Sequence, residues 1–137
     1  SMHLHQSVVD AEGCNIFSQA DGSASETFFH YIGGLQAYTP DLMLLYAPTV
    51  NSYRRYVAGS QAPINVAWGF DNRTTGLRIP VSPPAARRVE NRLAGADANP
   101  YLAMAAALAA GLAGMEARRQ PSVGIGAYFS ASLASSR

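Results

Sequence analysis

The stretch RRVENR, residues 87–92, sets one glutamate among three arginines, with Val89 and Asn91 as the spacers. Side chains alternate faces along a strand, so Arg88, Glu90 and Arg92 would share one side. Flanking positive charge would keep Glu90 ionised, the state in which a carboxylate ligates a hard cation. The guanidinium groups could then hold anions that the cation also touches. An ion-pair ladder on an edge strand explains the same spacing and, on this stretch alone, is the simpler account. A second constellation is His3-x-His5, two imidazoles on one strand face. Neutral imidazole ligates divalent metals and donates hydrogen bonds to phosphate. Against that stands a tag-like accident, since Ser1 before Met2 reads as a tag scar ahead of a chosen start. Arg54, Arg55, Arg73 and Arg78 add further forks. On a regular ladder Arg73 and Arg78 would project to opposite faces, although the turn at Arg73 loosens that count. Tyr53, Tyr56 and Trp68 could stack on a base, but aromatic residues beside strands more often belong to the core.

Other chemistries find little support. No Ser-His-Asp order, reactive-cysteine setting or Gly-rich phosphate loop is present, and there is no lysine at all, which excludes a P-loop. Any anion site must therefore use guanidinium forks. Glu90 is the single good acidic metal-ligand candidate, whereas phosphoryl chemistry calls for several carboxylates. By spacing alone the reading ends at an arginine-rich anion site, with or without metal.

At 137 residues the chain is one domain's worth or a piece of a larger one, and its 48% hydrophobic content suits a globular core. A net charge of +1 gives no support for nucleic acid or membrane binding by whole-molecule attraction. Locally, Arg54 to Arg92 holds seven arginines against two acids, Asp71 and Glu90, which suits phosphate or carboxylate binding or a solvated basic face. The lone Cys14 excludes an internal disulfide and fits a reducing cytoplasm. No signal peptide is evident, and YLAMAAALAAGLAG is too short and alanine-rich to span a bilayer.

The elements that must position these residues read as a mixed series. A strand is expected at 2–9, then a turn in DAEGCN with Gly13 at the bend. Ser23 and Glu26 match a capping box and open a helix carrying Phe28, Ile32 and Leu35, weakened by Gly33-Gly34. Thr39-Pro40-Asp41 opens a second, short helix that ends before Pro48. Residues 49–63 read as a functional loop. INVAWGFDN and TGLRIPV read as two strands around a turn at Asn72–Thr75, and RRVENRL as a third. Asn99-Pro100 caps a long helix to about Arg119. The tail from Ser122 has no clear period. The order strand, two helices, three strands, helix is α+β.

Taken together, the segments resemble the glutamine synthetase superfamily. MHLHQS is similar to that family's G-M-H-x-H-x-S strand, and APTVNSYRRYVAG to its N-S-Y-[KR]-R segment. DNRTTGLRIP is similar to x-N-R-x-x-x-x-R-I-P, and ARRVENRLAGADANPYL to A-R-R-x-E-x-R…A-N-P-Y-L. The resemblance covers about residues 2–120, leaving 121–137 as an atypical tail. It implies part of that catalytic domain, with antiparallel strands packed on helices. The family's small N-terminal β-grasp domain and the upstream strands with further metal carboxylates would then be lacking. The implied chemistry is ATP-dependent amide formation from glutamate and an amine or ammonia through γ-glutamyl phosphate, with Mg2+ or Mn2+. Residue by residue, His3 and Glu90 match metal ligands. His5, Ser7, Arg73, Arg78 and Arg88 match the ATP side, Arg55 and Arg92 the glutamate side, and Arg55 and Arg73 also the transferred phosphoryl group. Such enzymes form ring homo-oligomers.

One departure bears on the substrate. The family's flap carries a glutamate in P-G-x-E-A-P that helps deprotonate ammonium, and here AGSQAP puts Gln61 in its place. An amide neither takes a proton at neutral pH nor attracts a cation by charge. This points to the γ-glutamylpolyamine (γ-glutamylputrescine) synthetase branch, which Trp68 also fits, rather than to ammonia. A glutamine synthetase and a non-catalytic binding fragment are the alternatives. The chain alone is expected to be inactive and, with sheet edges and apolar faces exposed, to self-associate.

Overall fold

The computed structural model describes residues 1–126. Four short strands form one mixed sheet: β1 (Leu4–Gln6), β2 (Trp68–Phe70), β3 (Leu77–Ile79) and β4 (Val89–Asn91), in the order β1-β4-β3-β2. Two helices, α1 (Glu26–Tyr46) and α2 (Pro100–Glu116), pack on each other, and α1 brings Phe28, Tyr31, Ile32 and Leu35 to the common core. The α+β expectation holds, with differences in particular elements.

The first difference is that α1 runs unbroken through Pro40, so the expected second helix is its C-terminal half. Proline removes one intrahelical bond and crowds the preceding turn, at about 3 kcal/mol. The positions that face the core explain why the helix survives. Phe28, Tyr31, Ile32, Leu35, Thr39 and Tyr46 recur at helical spacing on both sides of the proline, and all are sealed from water. Ser25 is the N-cap, accepting from the Phe28 amide at 3.1 Å, while the Ser23 hydroxyl is spent on Asp21 at 2.6 Å. A bridge between Ser18 and Ala24 keeps the chain extended that far, which delays the helix beyond the expected box.

The second difference is in the sheet. β2 and β3 pair parallel, Trp68 beside Leu77 and Phe70 beside Ile79, where a turn between two strands led to the expectation of antiparallel pairing. Residues 71–76 carry the chain back along β2. Asp71 takes a left-handed φ of 47°, and the Thr75 hydroxyl donates to the Asn72 and Leu77 carbonyls at 2.8 and 3.1 Å. β4 is also not at an edge. It pairs antiparallel with β1 on one side (His5 opposite Glu90) and with β3 on the other (Arg78 opposite Glu90).

Residues 50–55 of the expected loop form a 3-10 helix with a capping box between Thr49 and Ser52. α2 ends at Glu116, short of Arg119, although Asn99 caps it as expected. Of the tail, residues 121–126 lie along β2, with the Ile125 amide donating to the Trp68 carbonyl at 2.8 Å and the Trp68 indole to Ser122 at 2.7 Å. Trp68 thus serves the core, beside Phe29 and Phe70. Residues 127–137 lie outside the described residues. No described helix is long and apolar enough to cross a membrane.

Candidate active site

The register of the sheet builds the site. His5, Glu90 and Arg78 stand in one row across β1, β4 and β3, and His3 and Arg92 lie one step further on. Glu90 is the hub. Its Oε1 lies 3.0 Å from His3 Nδ1 and 3.6 Å from Arg92 Nε, and its Oε2 accepts from Arg78 Nη1 at 2.7 Å. The Glu90 side chain is 6% exposed. Burial by itself would raise its pKa, but the hydrogen bond and charge of Arg78, aided by His3 and His5, leave it below the usual glutamate value. His3 is pushed down by burial and by the charges of Arg92 and Arg55, against the opposite pull of Glu90, which favours the neutral form of its imidazole.

The ladder and the ligand pattern are therefore both present, with partners different from those the spacing suggests. Arg88 shares the face of Glu90 but does not pair with it. Its Nε donates to His5 Nδ1 at 3.2 Å, and since a guanidinium only donates, the remaining His5 proton belongs on Nε2. The charge facing Glu90 comes instead from Arg78, on the next strand.

Arg92 and Arg55 converge from the other side. Arg92 donates from Nη1 to the Arg73 carbonyl, which ties β4 to the loop carrying Arg73. Arg55 donates from Nη2 to the Arg92 carbonyl at 2.8 Å and from Nη1 to that of Leu93 at 3.1 Å. It also lies 5.3 Å from the centre of the Tyr56 ring, whose hydroxyl donates to the Leu93 carbonyl as well. His3, Arg55, Gln61 and Arg92 line one cavity of about 220 Å³. A wider groove of about 480 Å³ beside it runs along residues 57–65 to Arg73, Thr74 and Arg92, again with Gln61 in its wall. Arg73 and Arg92 thus reach one groove, because Arg73 lies in the loop and not on the ladder. His5 and Ser7 line a separate hollow along β1. No hydrogen bond joins Ser7 to the other candidates among the described residues.

A neutral imidazole and an ionised carboxylate 3.0 Å apart are a fitting nitrogen and oxygen donor pair for a divalent cation. They are two ligands, not a full set: among the described residues no group of three or more His, Cys, Asp or Glu stands together to hold a metal. Sequence reasoning overlooked two supports. Asp71 grips Arg78 at 2.5 Å, and Asp97 accepts from the Ser52 hydroxyl, also at 2.5 Å, which anchors the 3-10 helix that carries Arg55. Their signal was slight, since each is a lone acid in a turn, and the partner of Asp97 lies 45 residues back in the chain.

Residues 1–129 match the family described as glutamine synthetase, catalytic domain. The chain belongs to this family. It is 48% identical over 118 residues to gamma-glutamylethanolamide synthetase GlnA4 of Streptomyces coelicolor, covering 86% of this chain and 25% of that one. With gamma-glutamylputrescine synthetase PuuA of Escherichia coli it shares 45% over 115 residues, covering 84% and 24%. With the glutamine synthetase of Pyrococcus abyssi it shares 44% over 120 residues, covering 88% and 27%. It superposes on the apo structure of GmaS without ligand with a TM-score of 0.77 at 36% identity, covering 98% of this chain and 31% of that one. The superfamily and the polyamine branch inferred from the motifs are thereby supported. The chain spans about a quarter of the length of these curated relatives.

Proposed function

We propose that this chain is part of the catalytic domain of an ATP-dependent ligase that joins the side-chain carboxylate of glutamate to an amine. The reading is carried by one observation: His3, Arg55, Arg92 and Gln61 line a single cavity, and two of them, His3 and Arg92, also stand against Glu90. In this reading the glutamate carboxylate oxygen attacks the γ-phosphorus of ATP and ADP leaves. The amine nitrogen then attacks the acyl carbon, phosphate leaves, and the surplus proton goes to solvent or a base.

His3 and Glu90 would hold Mg2+ or Mn2+, whose charge would stabilise the phosphoryl oxygens. Arg92 and Arg55 bind and orient the glutamate. Arg55 uses one hydrogen on each terminal nitrogen for backbone carbonyls, which fixes its plane and leaves the others for a carboxylate or the transferred phosphoryl group. Arg73, at the groove, faces the phosphoryl group. His5 presents its Nε2–H to the nucleotide with Arg88 behind it, and Ser7 and Arg78 complete that side. Gln61 closes the cavity without a proton acceptor, so the amine must arrive neutral or lose its proton elsewhere. The names of the relatives, which include γ-glutamylamine synthetases, favour an organic amine. Those that are glutamine synthetases keep ammonia as the second reading.

Residues 1–120 supply the catalytic portion in this account and 121–137 the tail. Since the described residues offer one carboxylate to the metal, the 137-residue chain alone is expected to be silent. The deciding measurement is ADP release from a polypeptide carrying this segment at the length of its relatives, with glutamate, Mg2+ and a panel of amines or ammonia. Turnover with organic amines and little with ammonia supports the proposal. Efficient use of ammonia makes it a glutamine synthetase, and no magnesium-dependent nucleotide binding leaves a non-catalytic fragment.

A further inference from the structure

Arg78 meets carboxylates at both ends, and of the two only Glu90 stands at a fixed position of the motifs, Asp71 being the unspecified residue before N-R. At the other end Asp71 accepts through Oδ1 from Arg78 Nε at 3.2 Å and Nη2 at 2.5 Å, while Nη1 reaches Glu90 Oε2 at 2.7 Å. We infer that Asp71 is a positioning residue for the active site: it clamps the Arg78 guanidinium, and Arg78 in turn fixes which oxygen of Glu90 faces His3. The inference rests on the functional reading above, in which His3 and Glu90 are metal ligands.

The geometry carries it in three steps. A guanidinium is planar, so two donors held by Asp71 on one side and one held by Glu90 on the other leave it no rotational freedom. With Oε2 occupied, Oε1 is the oxygen left toward His3 Nδ1 at 3.0 Å and Arg92 Nε at 3.6 Å. Asp71 also balances the charge of Arg78, so that Glu90 keeps its own negative charge for the His3 side. Partners behind a metal ligand commonly set its orientation in this way.

The backbone marks the same residue. Asp71 sits at φ 47° immediately after β2, its amide donating to the Ile79 carbonyl at the end of β3 at 2.8 Å. Aspartate tolerates the left-handed region, but glycine occupies it without strain. If Asp71 served only to turn the chain, glycine would do as well or better.

That contrast supplies the test, with Asp71→Gly as the main variant and Asp71→Asn as a second that keeps the shape and removes the charge. In the 137-residue chain, the Nε–H resonance of Arg78 is followed by nitrogen-15 NMR, with circular dichroism as the measure of folding. The clamp predicts a slowly exchanging Nε–H in the parent that is lost in Asp71→Gly and weakened in Asp71→Asn, at unchanged helix content. In a ligase of relatives' length, the Mg2+ concentration for half-maximal turnover should rise about 10- to 100-fold in Asp71→Gly, with kcat at saturating Mg2+ largely kept. An unchanged Arg78 signal, or a lost signal with an unchanged magnesium requirement, overturns the inference. Absence of any ATP-dependent turnover in the parent would instead overturn the proposed function, while the Arg78 resonance still decides the clamp.

Discussion

Glu90 stays charged although its side chain is only 6% exposed, because Arg78 donates to it at 2.7 Å and Arg92 stands beside it. Replacing it with glutamine keeps the volume and removes the charge that balances two partly buried guanidinium groups. Breaking a buried pair from one side costs about 3 kcal/mol or more, since the partner is left uncompensated. Glu90→Gln should therefore lower the urea midpoint of the chain strongly, and an unchanged midpoint would mean that Asp71 and water suffice for the arginines. Gln61 gives the opposite kind of prediction. It lines the cavity in an exposed loop, so Gln61→Glu should leave stability within about 0.5 kcal/mol. In a turnover assay at relatives' length it should raise the ratio of ammonia to organic amine use about tenfold, the effect typical of one added charged contact. No change in that ratio would remove Gln61 from the acceptor side. Glu90 and Gln61 were legible in the sequence because each lies within a short motif, RRVENR and AGSQAP, as His3 and Arg55 do in HLH and SYRR. Asp71 and Asp97 were not, since their roles depend on neighbours reached only through the fold.

At the scale of the elements, α1 and α2 cross so closely that a methyl group has no place between them. A Cβ at Gly34 would meet the carbonyl oxygen of Ala110 and come within 2.6 Å of the Gly114 Cα. Gly34→Ala would gain helix propensity of about 1 kcal/mol but must push the helices apart, and overpacking of this kind costs about 1–3 kcal/mol. A net loss in thermal stability is expected, and a rise in the midpoint would show that the crossing yields easily. Of the glycine pair, read from sequence as a weakness of a helix, Gly34 is the contact that lets two helices share one core, while Gly33 lies against the backbone of Arg119 and Gln120 beyond α2. α1 also carries Tyr46, whose hydroxyl accepts from Asn91 Nδ2 at 3.3 Å. Burial pushes its pKa up to about 12, outweighing the opposite effect of Asn91. An unfolded tyrosine titrates near 10, so the folded state holds the proton longer. This stabilisation is complete below about pH 10 and is lost as pH rises towards 12. Helical circular dichroism should fall in that window together with the appearance of tyrosinate, and Tyr46→Phe should move the loss to higher pH. Tyr46 titrating near 10 in an intact helix would contradict the burial argument. The helix itself was only half legible: local rules end it at Pro40, whereas the core-facing residues on both sides of the proline carry it through. Similarly, turn chemistry between β2 and β3 told of a reversal but not that residues 71–76 reverse the chain twice and leave the strands parallel.

For the whole molecule, the balance of buried and exposed surface becomes the decisive quantity. α2 packs its small residues, Ala103, Ala106, Ala107 and Ala110, against the core and turns its larger ones outward. Tyr101, Met104, Leu108 and Leu112, spaced by three and four residues, form one stripe and are 78%, 48%, 46% and 44% exposed. A soluble helix usually shows the reverse arrangement, apolar residues inward and polar residues outward. Beside this stripe, Leu102 and the alanines of α2 form an apolar groove of about 500 Å³ with Tyr38, Leu42 and Leu45 of α1. The net charge of +1 offers little repulsion to keep two copies apart. In the 137-residue chain the stripe should therefore drive self-association, visible in sedimentation as a mass that grows with protein concentration in the micromolar range. Because the contact is apolar, added salt should not dissolve it, in contrast to an association through the arginine face, which salt would screen. The double substitution Leu108→Glu with Leu112→Glu sets two charges on the stripe without altering the small residues of α2 that pack against the core, and should return the chain towards monomer at unchanged helix content. A parent that sediments as a monomer at all concentrations, or a double variant that associates as before, would show that this face is not what joins the copies.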